Sequence, residues 1–241
     1  MSSSKPRNKV HLTGAVVRSN LRNTAKLTPV LEITLAGVDR LGEREFAWYH
    51  QVTYLGKRAE RLAGLVQPGA GAIAVGKVEY RSWETPEGEK RAKVDIVAHD
   101  LEVFVPRGED LTHDSQGNPR LAVGAVNQVV LVGHLTRDPE RAERGPAKAG
   151  LAVNEWVPGR GGEKGSEKTH FLEIQGWGDT GTALMELGRG DPVYLEGRLV
   201  ADSWESPDGS KRYATRVEVL RLLPLVHPQK QQEEEEEALP Y

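Results

Sequence analysis

The chain has 241 residues, enough for two domains of ordinary size that each bury a core. It has no cysteine, which excludes disulfides and thiolate metal sites, and no apolar run of leader or membrane-spanning length, so a cytosolic protein without membrane contact is the expectation. The formal net charge is −3, and taking away the five acids Glu233 to Glu237 leaves +2, so a polyanion would have to be held by a local groove, not by a globally cationic surface.

Residues 9 to 17 alternate Val10, Leu12, Gly14 and Val16, the period of a half-buried strand, and Leu31, Ile33 and Leu35 repeat it. From Trp48 to Leu55 the chain divides by parity. Trp48, His50, Val52 and Tyr54 share one face, read as core; Tyr49, Gln51, Thr53 and Leu55 share the other. After Gly56, residues 57 to 66 place Leu62, Leu65 and Val66 at helical spacing, closed by Pro68 and Gly69. A long strand from Ala72 to Trp83 then turns through Pro86 and Gly88 into another from Val94 to Val105. Three strands, one helix and two strands predict an OB-fold, a small Greek-key β-barrel.

The pattern occurs twice. Asn127, Val129, Leu131, Gly133 and Arg137 echo Asn8, Val10, Leu12, Gly14 and Arg18 at an offset of 119. Phe171, Ile174 and Gly178 echo Tyr49, Val52 and Gly56 at 122, and Gly190, Gly197 and Trp204 echo Gly69, Gly76 and Trp83 at 121. A helix is expected from about Asp179 to Leu187, with Asp179 or Thr180 as N-cap. Residues 141 to 150 lack the alternation of their counterpart, so the second strand of this copy is expected to be short or frayed. The predicted class is all-β with one short helix per domain: two tandem OB-fold β-barrels, residues 8–105 and 127–223. A linker, 106–126, joins them, and a disordered acidic tail, 224–241, follows.

Parity also locates candidate chemistry. Phe171, Glu173, Gln175 and Trp177 share a face opposite Leu172 and Ile174, and a face mixing rings with Glu and Gln is the wet one. Each copy also sets a tryptophan, Trp83 or Trp204, beside cations: Lys77 and Arg81 in the first, Arg198 in the second. Rings beside positive charge suit single-stranded nucleic acid, because bases stack on rings while phosphates seek cations; core packing is the plainer use of such rings. Trp156 is assigned to a loop, where stacking and loop anchoring are both open. Candidate phosphate contacts are Arg18, Lys77, Arg81, Lys90, Arg91, Arg137, Arg198, Lys211 and Arg212, foremost the recurring pairs Arg18/Arg137, Lys90/Lys211 and Arg91/Arg212. Gly159 to Ser166 lacks the Gly-Lys-Ser/Thr of a P-loop, and the histidines lack metal-ligand spacing. No nucleophile, base and orienting group recur together. Neither catalysis, nor a metal, nor a cofactor is expected.

Val10-His-Leu-Thr-Gly14 with Arg18, Trp48-Tyr-His-Gln-Val-Thr-Tyr-Leu-Gly56, and Gly76-Lys-Val-Glu-Tyr-Arg-Ser-Trp83 followed by Gly88 and Arg91 resemble the bacterial single-stranded DNA-binding protein family. The tandem arrangement is similar to its Deinococcus and Thermus form, in which a homodimer supplies four OB-folds. The resemblance implies sequence-independent binding and protection of single-stranded DNA in replication, recombination and repair. It implies that Tyr49, Trp83, Phe171, Trp177 and Trp204 stack on bases. Leu55 stands where the second copy has Trp177, so the second copy is expected to stack more. The end of the chain, Glu236 and Glu237 with Leu239, Pro240 and Tyr241, is similar to the acidic tip with which the family docks on replication and repair proteins. The competing expectation is a paralogous OB-fold protein-interaction module with weak DNA binding, suggested by the mild body charge, Leu55, and the apolar Ile73 and Val75 on the Trp83 face.

Overall fold

Alternating apolar residues build the first barrel. The computed structural model describes residues 8–85, 88, 90–159, 164–205 and 211–225. Strands β1 (Asn8–Asn23), β2 (Pro29–Leu41) and β3 (Arg44–Leu55) lead into helix α1 (Lys57–Ala63), then β4 (Gly71–Glu84) and β5 (Lys90–Phe104). They pair in the order β1-β2-β3-β5-β4 and close through β4 to β1, the five-stranded OB barrel. All pairs are antiparallel except β3 with β5, where Val52 faces Ile96. The buried members of each alternation, among them Leu12, Leu31, Ile33, Leu35 and Val78, fill the interior, and α1 contributes Ala59 and Leu62.

Two glycine positions in the repeat are set by close approach. A Cβ at Gly14 would stand 2.9 Å from the Ala36 carbonyl oxygen, and one at its echo Gly133 2.3 Å from that of Ala152, where β1-type strands cross their neighbours. Gly76 is tighter: its Cβ would lie 2.1 Å from the Val97 oxygen. Opposite it the register slips, Val75 pairing with Asp100 and Gly76 with Ala98, so the extra residue is His99 in β5. The alternation of β4 therefore continues unbroken, Ala72, Ala74, Gly76 and Val78 inward, while that of β5 shifts from Ile96 and Ala98 to Leu101.

Residues 106–126, expected to be a linker, contain structure of their own. A 3-10 turn (Gly108–Asp110) precedes a hairpin of β6 (Leu111–His113) and β7 (Pro119–Leu121), and β7 pairs parallel with β2 through Gly37 and Leu121. Leu121 is buried. Asp114 organises the turn by accepting from the backbone N–H groups of Gln116 and Asn118 at 2.8 and 2.9 Å. Gly117 and Pro119, breakers of the kind that mark a linker, lie in this turn and at the start of β7.

The second repeat comprises β8 (Val126–Leu135), β9 (Glu140–Arg141), β10 (Ala147–Val157), β11 (Ser166–Gly176), α2 (Gly178–Met185), β12 (Pro192–Glu205) and β13 (Lys211–Pro224). Its order β8-β12-β13-β11-β10, closed by β10 on β8, repeats the first barrel. β10 is not frayed: Ala147, Ala149, Leu151 and Val153 alternate and are buried, two alanines supplying inward positions that a search for large residues passes over. α2 starts one residue earlier than expected, with Trp177 at the N-cap and no side-chain cap; the Thr180 hydroxyl donates back to the Trp177 carbonyl at 2.8 Å. No helix among the described residues is long and apolar enough to cross a membrane.

The chain falls into two compact units, one of Asn8–Val129 with Arg198–Val217, the other of Val130–Gly197 with residues 218–225. The far part of the second repeat's hairpin, formed by β12 and β13, thus belongs to the unit of the first barrel.

Candidate nucleic-acid interface

In the second repeat one face of the β10–β11 sheet is bare. β11 buries His170, Leu172 and Ile174 and turns Phe171, Glu173 and Gln175 outward. Phe171 is 49% exposed, and Trp177, where β11 gives way to α2, is 51% exposed. Trp156 lies in β10 and not in a loop: it pairs with Glu167, so it shares this outward face with Ala152, the partner of Phe171. At 66% exposure, it lies over Gly165, where a Cβ would stand 2.7 Å from the indole. Between the rings Thr169 donates to Asn154 at 2.9 Å. Three aromatic side chains therefore punctuate one polar surface.

Arg137, a cation at this face, is already engaged. Its two terminal nitrogens donate to Glu173 Oε1 at 2.9 Å and Oε2 at 2.6 Å. The hydrogen-bonded carboxylate raises the guanidinium above its ordinary pKa.

The corresponding face of the first repeat is more covered. Tyr49 is half-buried, and its hydroxyl donates to Asp114 Oδ2 at 2.8 Å, tying it to the β6–β7 turn. Burial, and then that hydrogen bond, raise the phenol's pKa. Asp114 itself is held well below the usual carboxylate range, chiefly by the side-chain amide of Asn118. Leu55, in the place of Trp177, is exposed. Arg18 is exposed and donates through Nε to Thr34 Oγ1 at 3.1 Å.

On the β4–β5 arm Trp83 is 47% exposed and pairs across the ladder with Arg91, a ring and a cation side by side. Arg81, Lys93 and Lys77 of this arm meet acids. Arg81 binds the buried Asp95, which Lys93 also reaches at 2.9 Å, and Lys77 sits 3.0 Å from Glu79. Trp204 lies in β12 and Lys90, Lys211 and Arg212 in β5 and β13, but the description stops at their backbones. The tip residues Glu236, Glu237, Leu239, Pro240 and Tyr241, and the tail from 226, lie outside the described residues, as do the turn residues 86 and 206–210.

Arg198 departs from expectation. Parity aims it away from its own barrel, yet it is only 7% exposed, because in the unit it shares with the first barrel it lies under Phe46 and Asp39. Its guanidinium stands 4.7 Å from the Phe46 ring centroid and 3.5 Å from Asp39 Oδ2, so it is packed among side chains of that unit and not presented to solvent. Asp39 also accepts from Trp48 Nε1 at 3.0 Å; burial raises its carboxyl's pKa, and the Arg198 charge opposes that shift. These residues border a cleft of about 230 Å³.

The repeated asparagines have a matching purpose that their spacing alone did not disclose. Asn8 donates to the Val78 carbonyl at 2.8 Å and accepts from the Val78 N–H at 3.0 Å; Asn127 does the same with Leu199, both at 2.9 Å. Each amide stands in for one residue of a strand ladder.

Comparison with known proteins agrees with the duplicated barrel. The model of the single-strand binding protein family matches residues 7–104 and again residues 126–225. The chain is 45% identical over 225 residues to the single-stranded DNA-binding protein of Thermus thermophilus, covering 89% of this chain and 83% of that one. Against the single-stranded DNA-binding protein of Deinococcus radiodurans it is 41% identical over 226 residues, covering 89% and 74%. The crystal structure of the wild-type single-stranded DNA binding protein from Thermus aquaticus resembles it with a TM-score of 0.69 at 34% identity, over 93% of this chain and 95% of the other. With two matched repeats on two OB barrels, the chain belongs to the single-strand binding protein family.

Proposed function

We propose that this chain binds single-stranded DNA without regard to sequence and protects it during replication, recombination and repair. The observation that carries the reading is the outward face of the second repeat, where Trp156, Phe171 and Trp177 stand exposed along one polar sheet. Family membership supports it. Bases stack on these rings and on Trp83 and Trp204, while Arg18, Arg91, Lys90, Lys211, Arg212, Lys77, Arg81 and Arg137 guide the phosphates, Lys77, Arg81 and Arg137 by exchange from their acids. Tyr49 contributes less than Phe171, because its ring is half-buried and its hydroxyl is bound. Two chains associate to present four OB-folds, and the tip from Glu236 to Tyr241 recruits replication and repair proteins in the cytoplasm, at the nucleoid.

Intrinsic tryptophan fluorescence during titration with oligo-dT, with duplex DNA and RNA of equal length as controls, tests the reading. Strong quenching by oligo-dT that survives moderate salt is expected. Phe171→Ala with Trp177→Ala should weaken binding by ~1–3 kcal/mol per stacked base, and Tyr49→Ala with Leu55→Ala by clearly less. Equal losses would refute the leading part of the second repeat. The second reading, a protein-interaction module, is favoured by the bound Tyr49 hydroxyl and the acid-paired cations; absence of quenching with any nucleic acid would leave it standing.

A further inference from the structure

The two repeats differ at one position in a way that bears on how each takes a phosphate. Gln51 and Glu173 occupy the same place, two residues after Tyr49 and Phe171 in the third barrel strand. Across the sheet from Gln51 is Thr34, whose hydroxyl accepts from Arg18. Across from Glu173 is Gly150, and there Arg137, the echo of Arg18, reaches the Glu173 carboxylate with both terminal nitrogens. Gly150 makes the reach possible: a Cβ on it would stand 2.2 Å from Thr136 Oγ1 and 2.8 Å from Arg137 Nη1.

A phosphodiester offers a guanidinium the same paired oxygens as a carboxylate. Glu173 lies between Phe171 and Trp177 in sequence, at the edge of the aromatic row along which stacked bases would carry their backbone. Both partners are about half exposed, so the pair contributes little to folding and can be exchanged.

We propose that Glu173 is an internal phosphate mimic, which occupies Arg137 until a backbone phosphate of single-stranded DNA displaces it. The second repeat then engages DNA through its rings and recruits this cation only by exchange. The first repeat, with Gln51 in that place, offers Arg18 to phosphate directly. The proposal rests on the single-stranded DNA reading above.

The test is oligo-dT titration over a range of salt concentrations for the full chain, Glu173→Gln and the reciprocal Gln51→Glu, each first checked for an unchanged melting curve. Glu173→Gln should bind about two- to fivefold tighter at low salt. Its plot of log K against log salt should keep the wild-type slope, because Arg137 neutralises the same phosphate in both complexes. Gln51→Glu should bind more weakly, again at an unchanged slope. Unchanged or weaker binding by Glu173→Gln overturns the exchange while leaving wild-type DNA binding intact, and so does a slope steeper by about 0.7, which would mean that Arg137 meets no phosphate in the wild-type complex. A wild-type chain that oligo-dT does not quench overturns both.

Discussion

His50 shows how a single residue becomes sensitive to pH through packing. Its ring stacks on Trp48, with centroids 5.5 Å apart and planes inclined by 22°, and Nε2 stands 3.0 Å from the Leu199 carbonyl oxygen. A carbonyl can only accept, so Nε2 carries a proton and donates it. Burial pushes its pKa down to about 4, against the opposing pull of the Leu199 carbonyl. The unfolded chain, with an ordinary histidine near 6.5, takes up a proton first as pH falls, so this contribution is complete above about 6.5 and is lost towards 4. Urea unfolding between pH 7 and pH 5 should therefore lose stability with a slope approaching about 1.4 kcal/mol per pH unit from this residue. His50→Phe should flatten that part of the slope; an identical slope in the variant would refute the assignment. Parity along Trp48 to Leu55 was enough to put His50 in the core. It was silent about Leu199, 149 residues away, which supplies the acceptor.

At the scale of elements, the outer arm of the second hairpin was the hardest to read. Strand parity holds along β12: Val193, Leu195, Gly197 and Leu199 are buried together. What parity cannot report is a second cover on the opposite face, and that cover buries Arg198. Arg198→Ala should cost on the order of 3 kcal/mol in urea unfolding, because it leaves Asp39 partly buried without its cation. It should leave the salt dependence of oligo-dT binding unchanged. A shallower slope with unaltered stability would return Arg198 to the phosphate contacts. β10 reads as short or frayed, and the β6–β7 hairpin as linker, for a different reason: alanines in one, and turn residues in the other, carry weak local signals that neighbouring strands complete.

For the whole molecule, the proposed assembly and tail make a joint prediction. Sedimentation equilibrium should find twice the chain mass. Removal of residues 233–241 should preserve that mass and the affinity for oligo-dT, while replication and repair proteins no longer co-purify. Co-purification that survives the truncation would place the recruiting surface on the barrels. The tail adds five negative charges to a mildly basic body, so its removal should, if anything, strengthen binding to a polyanion at low salt.

The sequence by itself determined the duplicated OB architecture, the parity of the strands and the outward placement of Phe171. These follow from a two-residue side-chain period and from a repeat, both of which are local and survive translation along the chain. Only the tertiary structure decided that cations such as Arg137 and Arg198 are engaged, because the ion pair of Arg137 with Glu173, or the cover over Arg198, joins residues far apart in sequence. It also decided that Tyr49 is tethered and that Trp156 stands in a strand, since register and loop closure depend on which strands meet, a property no single stretch of sequence contains.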